Sequence, residues 1–163
     1  PIGENDSDLR LQILKTLQKN PECFFVIGAG QKYFNALIQL VTLGYKGMII
    51  TDYSATWPGF YKNYPEVAER ILTVTSVESN NFKTKYKPLG MTVLTHAPIH
   101  DIALILADAY MTSNGDTEKM AQYINNIKDY DGALGKLTMQ PGGNIHLPTQ
   151  IVTVKNGELV PVE

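Results

Sequence analysis

At 163 residues, with 44% hydrophobic and 18% charged side chains, the chain can bury one good core or share two small ones, and its composition excludes a disordered or low-complexity protein. A formal net charge of −2 with scattered lysines leaves no basic stripe, which argues against nucleic acid and acidic membrane surfaces as partners. No apolar run approaches the roughly 20 residues needed to cross a bilayer.

The chain opens on Pro1 without a Met or a signal peptide, as a processed or excised piece would. From Asn5 to Asn20, Leu9, Ile13, Leu14 and Leu17 mark a helical face, with Asp6 or Ser7 as N-cap and Asn20-Pro21 as the stop. A βαβ sheet rarely begins on a helix, so a preceding strand is expected to have been cut away. Phe24 to Ile27 form an apolar run ending in Gly28-Ala29-Gly30, and Met48 to Ile50 form another ending in Thr51-Asp52. Both read as fully buried strands. Between them Phe34, Leu37, Ile38 and Val41 recur at i, i+3, i+4, i+7, with Gly44 as a C′ residue able to take φ > 0. The unit is strand, crossover helix, strand, and its crevice lies beyond the carboxyl ends of the strands. Cys23, the one cysteine, allows no internal disulfide and reads as a small core residue beside the first strand, in preference to a nucleophile.

The segment from Tyr53 to Pro65 carries three of the nine tyrosines and the single tryptophan and fits neither period, so a loop with one short helix near the crevice is expected. Glu66 to Arg70 is a candidate helical turn, and Ile71 to Val77, rich in Val, Thr and Ile, a third strand. Ser79 to Lys87 is polar and aperiodic, the pattern of a linker or hinge. Pro98 to Thr112 places Ile99, Ile102, Ala103, Leu106 and Tyr110 at helical spacing, with Pro98 in the first turn and Asn114-Gly115 as the end. Asp116 or Thr117 caps the next helix, on which Met120, Ile124 and Ile127 share a face. Gly135 to Gln140 alternates as a half-buried strand and Pro141 to Asn144 turns the chain. The segment ends as a hairpin: IVTVK, Asn156-Gly157, ELVPV predicts a two-residue type I′ turn, with Pro161 assigning its second strand to an edge.

Val26 to Gly30 is similar to the start of a dinucleotide fingerprint, and Asp52 lies near the distance of a ribose-binding acid, but Tyr33 stands where the third glycine belongs. The competing reading is a glycine pair that serves the turn or lets another ligand approach the backbone. His96, His100 and Asp101 do not make a metal site, because Pro98 places His96 before the helix and no third ligand has a recognisable spacing. No G-x-S-x-G elbow is present, and the pairs Asp129 with Asp131 and Glu66 with Glu69 look solvated. No cofactor, metal or catalytic group is assigned, and the chain is read as a non-enzyme.

Taken in order, the helix ending Asn20-Pro21, FFVIGAG, the helix ending Gly44-Tyr45-Lys46, MIITDYS, a linker, HAPIHDIALILADAY, DGALGKLTM and a hairpin ending NGELVPV resemble the second half of a type I periplasmic solute-binding protein of the branched-chain amino acid and amide family. The resemblance covers essentially the whole chain. It implies an α/β fold, a truncated Rossmann-like parallel-sheet lobe with a C-terminal β-hairpin. Residues 1–80 and 148–163 would belong to the second lobe and 81–147 to the first, most of which would be missing. It further implies a trap that binds an amino acid or related carboxylate or amide and delivers it to an ABC transporter permease, in the periplasm or outside the cell and membrane-associated through that transporter. A sensor using the same trap and a nucleotide-binding enzyme or regulator remain as alternatives. Family ligand positions fall on Ala29, Gly30, Asp52, Tyr53, Thr95 and His96; Gln31, Ser54 and Trp57 join them as neighbours of the crevice. Two departures stand out: amino acid binders often carry an acid where Tyr53 falls, and His100-Asp101-Ile102 stands where Tyr-Asp-Ala is frequent. The piece between the linker and the final hairpin, stripped of its lobe partners, should either expose an apolar face or pair with another copy of the chain, making a homodimer or domain swap an expected outcome.

Overall fold

The computed structural model describes residues 8–93 and 95–162. The chain divides into two compact units, Pro1–Thr75 with Ile151–Glu163 and Ser76–Gln150.

The first unit is built on a sheet of order β1-β2-β3-β7-β8, with β1 (Cys23–Val26), β2 (Met48–Thr51), β3 (Ile71–Ser76), β7 (Thr149–Lys155) and β8 (Glu158–Pro161). β1, β2 and β3 run parallel, Phe24 opposite Ile49 and Val26 opposite Thr51, while β7 and β8 form the antiparallel hairpin. The turn residues Asn156 and Gly157 take φ of 53° and 74°, as a type I′ turn requires, and Pro161 lies on the edge strand. Helices α1 (Arg10–Leu17), α2 (Gly30–Thr42), α3 (Pro58–Tyr61) and α4 (Pro65–Ala68) complete this unit, with a 3-10 turn at Tyr53–Thr56. The expected loop from Tyr53 to Pro65 is thus largely a run of short helical turns.

Leu37, Leu40, Ile49 and Phe60 are sealed in its core, each burial worth about 1.5–3 kcal/mol. The buried stripe of α2 is Tyr33, Phe34, Leu37 and Leu40, with Ile38 and Val41 only partly covered. On α1, Leu9 and Ile13 are buried and Leu14 is exposed; the expected cap at Asp6 or Ser7 lies outside the described residues.

β1 and β2 are not buried on both faces. Phe24 and Ile49 face the helices, whereas Phe25, Ile27 and Met48 are exposed to 65%, 67% and 51%, and Val74 and Ile151 extend the same face. Cys23 is exposed, not a core residue. β1 stands at the sheet edge and α1 and α2 pack against the opposite face, so continuous apolarity does not translate into burial here.

The second unit contains α5 (Asn80–Lys85), a 3-10 turn at Lys87–Leu89, α6 (His96–Ser113), α7 (Thr117–Asn125) and an antiparallel sheet of β4 (Tyr130–Gly132), β5 (Gly135–Met139) and β6 (Ile145–His146). The stretch read as a linker is helix α5. Ser79 Oγ accepts from Phe82 N at 3.2 Å as its N-cap, and Phe82 anchors the core. α6 buries Ala97, Asp101, Ile105, Ala109 and Ser113, while Ile99, Ile102, Leu106 and Tyr110, read from sequence as its core face, are exposed. The helix is apolar on several sides, and the side that carries Ala97 and Ile105 packs into the core of this unit. Asp116 caps α7 by accepting from Glu118 N and Lys119 N.

Candidate functional site

In the first unit the carboxyl ends of β1 and β2 bring two short segments together. Gly30 opens α2 with φ of 74°, a conformation in which a Cβ would be strained, and Ala29 before it is extended. Gly28 has a different reason to be glycine: a Cβ there would meet Tyr33 Cβ at 3.3 Å and its ring at 3.4 Å. Tyr33, at the place of a third fingerprint glycine, is therefore the floor of the turn. Ala29, Gly30 and Gln31 are exposed at the start of α2.

Asp52 closes the other side. Its Oδ1 accepts from Ser54 N at 3.0 Å, forming the cap of the turn Tyr53–Thr56, and its Oδ2 accepts from Gly28 N at 3.1 Å. Thr73 Oγ1 donates to the Asp52 carbonyl from β3. Tyr53 is 58% exposed, Ser54 is half-buried, and Trp57 is exposed on one face while its ring stacks on Phe34 at 5.5 Å. Beneath the loops the hydroxyls of Tyr33 and Thr51 are buried without a hydrogen bond of good geometry, with Thr51 and Asp52 the polar groups that face the Tyr33 phenol. Burial pushes the Tyr33 phenol up to about 12, with the negative charge of Asp52 adding to the rise.

Thr95 and His96 belong to the second unit. Contrary to the expectation that Pro98 excludes it, His96 is the first residue of α6. Proline is tolerated there because the first turn has no intrahelical partner for its nitrogen. Thr92 N donates to His96 Nδ1 at 3.0 Å and Thr95 Oγ1 lies 3.0 Å from the same nitrogen, a local exposed cluster. Deeper in this unit Asp101 accepts from Ala133 N at 2.6 Å and Leu134 N at 3.0 Å, with His100 Nδ1 at 3.1 Å from Oδ1. Phe82, Tyr86 and His100 line an open cavity of about 510 Å³ beside it. Among the described residues no three His, Cys, Asp or Glu side chains converge on a metal-sized site, and no helix is long and apolar enough to cross a membrane.

Sequence reasoning overlooked Tyr33, Thr51 and the role of Asp101. Only Tyr33 carried a signal, its place within the glycine pattern.

No family model and no curated protein matches the sequence. Solved structures do match. A leucine-binding protein, LivK, from Thermotoga maritima superposes with a TM-score of 0.84 at 23% identity, over 99% of this chain and 49% of that one. The branched-chain amino acid transporter substrate-binding protein LivJ from Streptococcus pneumoniae, in complex with isoleucine, gives 0.78 at 16% identity over 97% and 48%. A periplasmic binding protein type 1 from Bordetella pertussis gives 0.79 at 17% identity over 99% and 51%. The chain spans about half the length of these structures, and over that half its fold is that of a type I periplasmic binding protein.

Proposed function

We propose that the chain binds a small solute, an amino acid or a related carboxylate or amide, for delivery to an ABC-type membrane transporter, and catalyses no reaction. The observation that supports this most is a superposition over 99% of the chain with a leucine-binding protein, together with the exposed loop residues Ala29, Gly30, Gln31 and Tyr53 at the carboxyl ends of β1 and β2, where α/β sheets take their ligands. Ala29, Gly30, Gln31, Asp52, Tyr53, Ser54 and Trp57 are the proposed ligand positions of the first unit, and Thr95 and His96 those of the second. The backbone N–H groups at the start of α2 suit a carboxylate. Residues 1–80 with 148–163, and 81–147, are proposed as the second-lobe and first-lobe portions. The place of action follows from the same reading: periplasm or cell exterior, beside a permease.

Calorimetric titration with L-leucine, L-isoleucine, NAD, NADP and ATP tests the proposal. Saturable binding of an amino acid, weakened by Tyr53→Ala, supports it. Saturable micromolar binding of a nucleotide, or no heat from any amino acid up to about 10 mM, overturns it.

A further inference from the structure

We infer that Asp52, placed above among the ligand positions, acts there as a positioning residue that ties the two solute-facing loops of the first unit together and does not itself hold the solute, and that Tyr53 sets selectivity; this rests on the solute-binding reading above. Both carboxylate oxygens are already engaged by the chain's own backbone. One takes the Gly28 amide from the loop after β1 and the other takes the Ser54 amide from the turn after β2. The main chain of Asp52 is fixed as well, by the hydroxyl of Thr73 from the neighbouring strand. Swinging the carboxylate out to meet a solute would strip two amides of their acceptor, a loss that a single new contact does not offset.

The consequence concerns ligand chemistry. Asp52 keeps its negative charge while it accepts from two amides, but its oxygens are aimed at the loops' own N–H groups, so an ammonium meets the charge without a carboxylate turned toward it. Tyr53, in contrast, is 58% exposed and offers a phenol that can donate and accept. With Asp52 held by its two amides, the solute group that meets Tyr53 is an amide, a carboxylate or an apolar chain, and the amino group takes little of its affinity from this unit. Trp57, held flat against Phe34, gives that part an aromatic surface.

Amide hydrogen exchange by NMR on the full chain reads the tie directly. Asp52→Ala should speed exchange of the Gly28 and Ser54 amides roughly tenfold or more while leaving Leu137 in the other unit unchanged. Asp52→Asn should split the pair: the amide oxygen keeps Ser54 protected, whereas the new NH2 faces the Gly28 N–H and that amide is released. A change that merely loosened the fold would move both together, so the split carries the test if the alanine variant fails to fold. Tyr53→Phe should alter neither amide.

The binding arm uses L-leucine, 4-methylpentanoate, which lacks only the amino group, and 4-methylpentanamide. Removing the amino group should change affinity less than about threefold, and Tyr53→Phe should weaken binding roughly tenfold. An unprotected Gly28 amide in the parent chain, or a leucine preference above about tenfold that Asp52→Asn abolishes, overturns the inference. Failure of all three probes to bind sinks the solute reading and the selectivity role of Tyr53 with it, while the exchange data still decide whether Asp52 holds the two loops.

Discussion

Replacing Asp101 should cost the second unit more than any surface change, because its carboxylate is 3% exposed and holds a turn from 32 residues away. Asp101→Ala removes the acceptor for Ala133 N and Leu134 N, both buried, and the hydrogen-bonded partner of His100. Each buried amide left unpaired costs about 1–3 kcal/mol, so the loss of the acceptor for both should cost about 2–6 kcal/mol. That is comparable with the whole stability of a small domain. Asp101→Asn keeps one acceptor and should cost about 2 kcal/mol. Gly132→Ala attacks the same joint from the other side, since its Cβ would stand 2.6 Å from Asp101 Oδ2 and 2.8 Å from Leu137 Cδ1. Urea unfolding followed by far-UV circular dichroism, with amide exchange at Ala133 and Leu134, measures the effect. Trp57, the single tryptophan, reports on the first unit and serves as the internal reference. A cost below about 1 kcal/mol for Asp101→Ala with both amides still protected would refute the reasoning.

Gly30→Ala places a side chain at φ of 74° with open space around it, so only backbone strain acts, about 1–2 kcal/mol in urea unfolding monitored at Trp57; no loss would mean the turn can relax. Spectrophotometric titration should find Tyr33 and Tyr130 ionising near 12, both held up mainly by burial. Because their folded values lie above the ordinary value of 10.0, the stability they contribute is complete below that pH and is lost as pH rises toward 12. Tyr33→Phe removes a buried hydroxyl that lies near Thr51 and Asp52 without a hydrogen bond of good geometry, and should change stability by less than about 1 kcal/mol; a larger loss would reveal a bond to the phenol. The exposed face of Phe25, Ile27 and Met48 should drive concentration-dependent self-association by light scattering, reduced by Phe25→Glu; a strictly monomeric parent chain at high concentration would count against it.

What the sequence made legible depends on where the information resides. Elements with a strong local period or a strong turn signal came out close to their bounds: α2, β2, β3 and the hairpin at Asn156-Gly157. Burial did not follow in the same way. Apolar runs in β1 and the outer stripe of α6 look identical in sequence to core segments, and only the position of the neighbouring helices decides which side is covered. α5 was missed because one cap and one anchoring aromatic hold six residues, too few for a period to show.

The two aspartates show the limit most clearly. Asp52 follows a strand and Asp101 sits near a helix start, places where an acid serves a ligand, a metal or mere solubility equally well by local pattern. In the fold each answers a different demand. Turns that connect strands leave backbone N–H groups with no ladder partner, and a buried N–H must find an acceptor from somewhere. Gly28 finds one 24 residues on and Ala133 one 32 residues back. Such pairings are set by which loops tertiary structure places side by side, so no window of the chain contains them. An acid at a strand end is therefore first a candidate for the chain's own orphaned amides, and it holds a solute only where the acceptor sites left after that face the crevice.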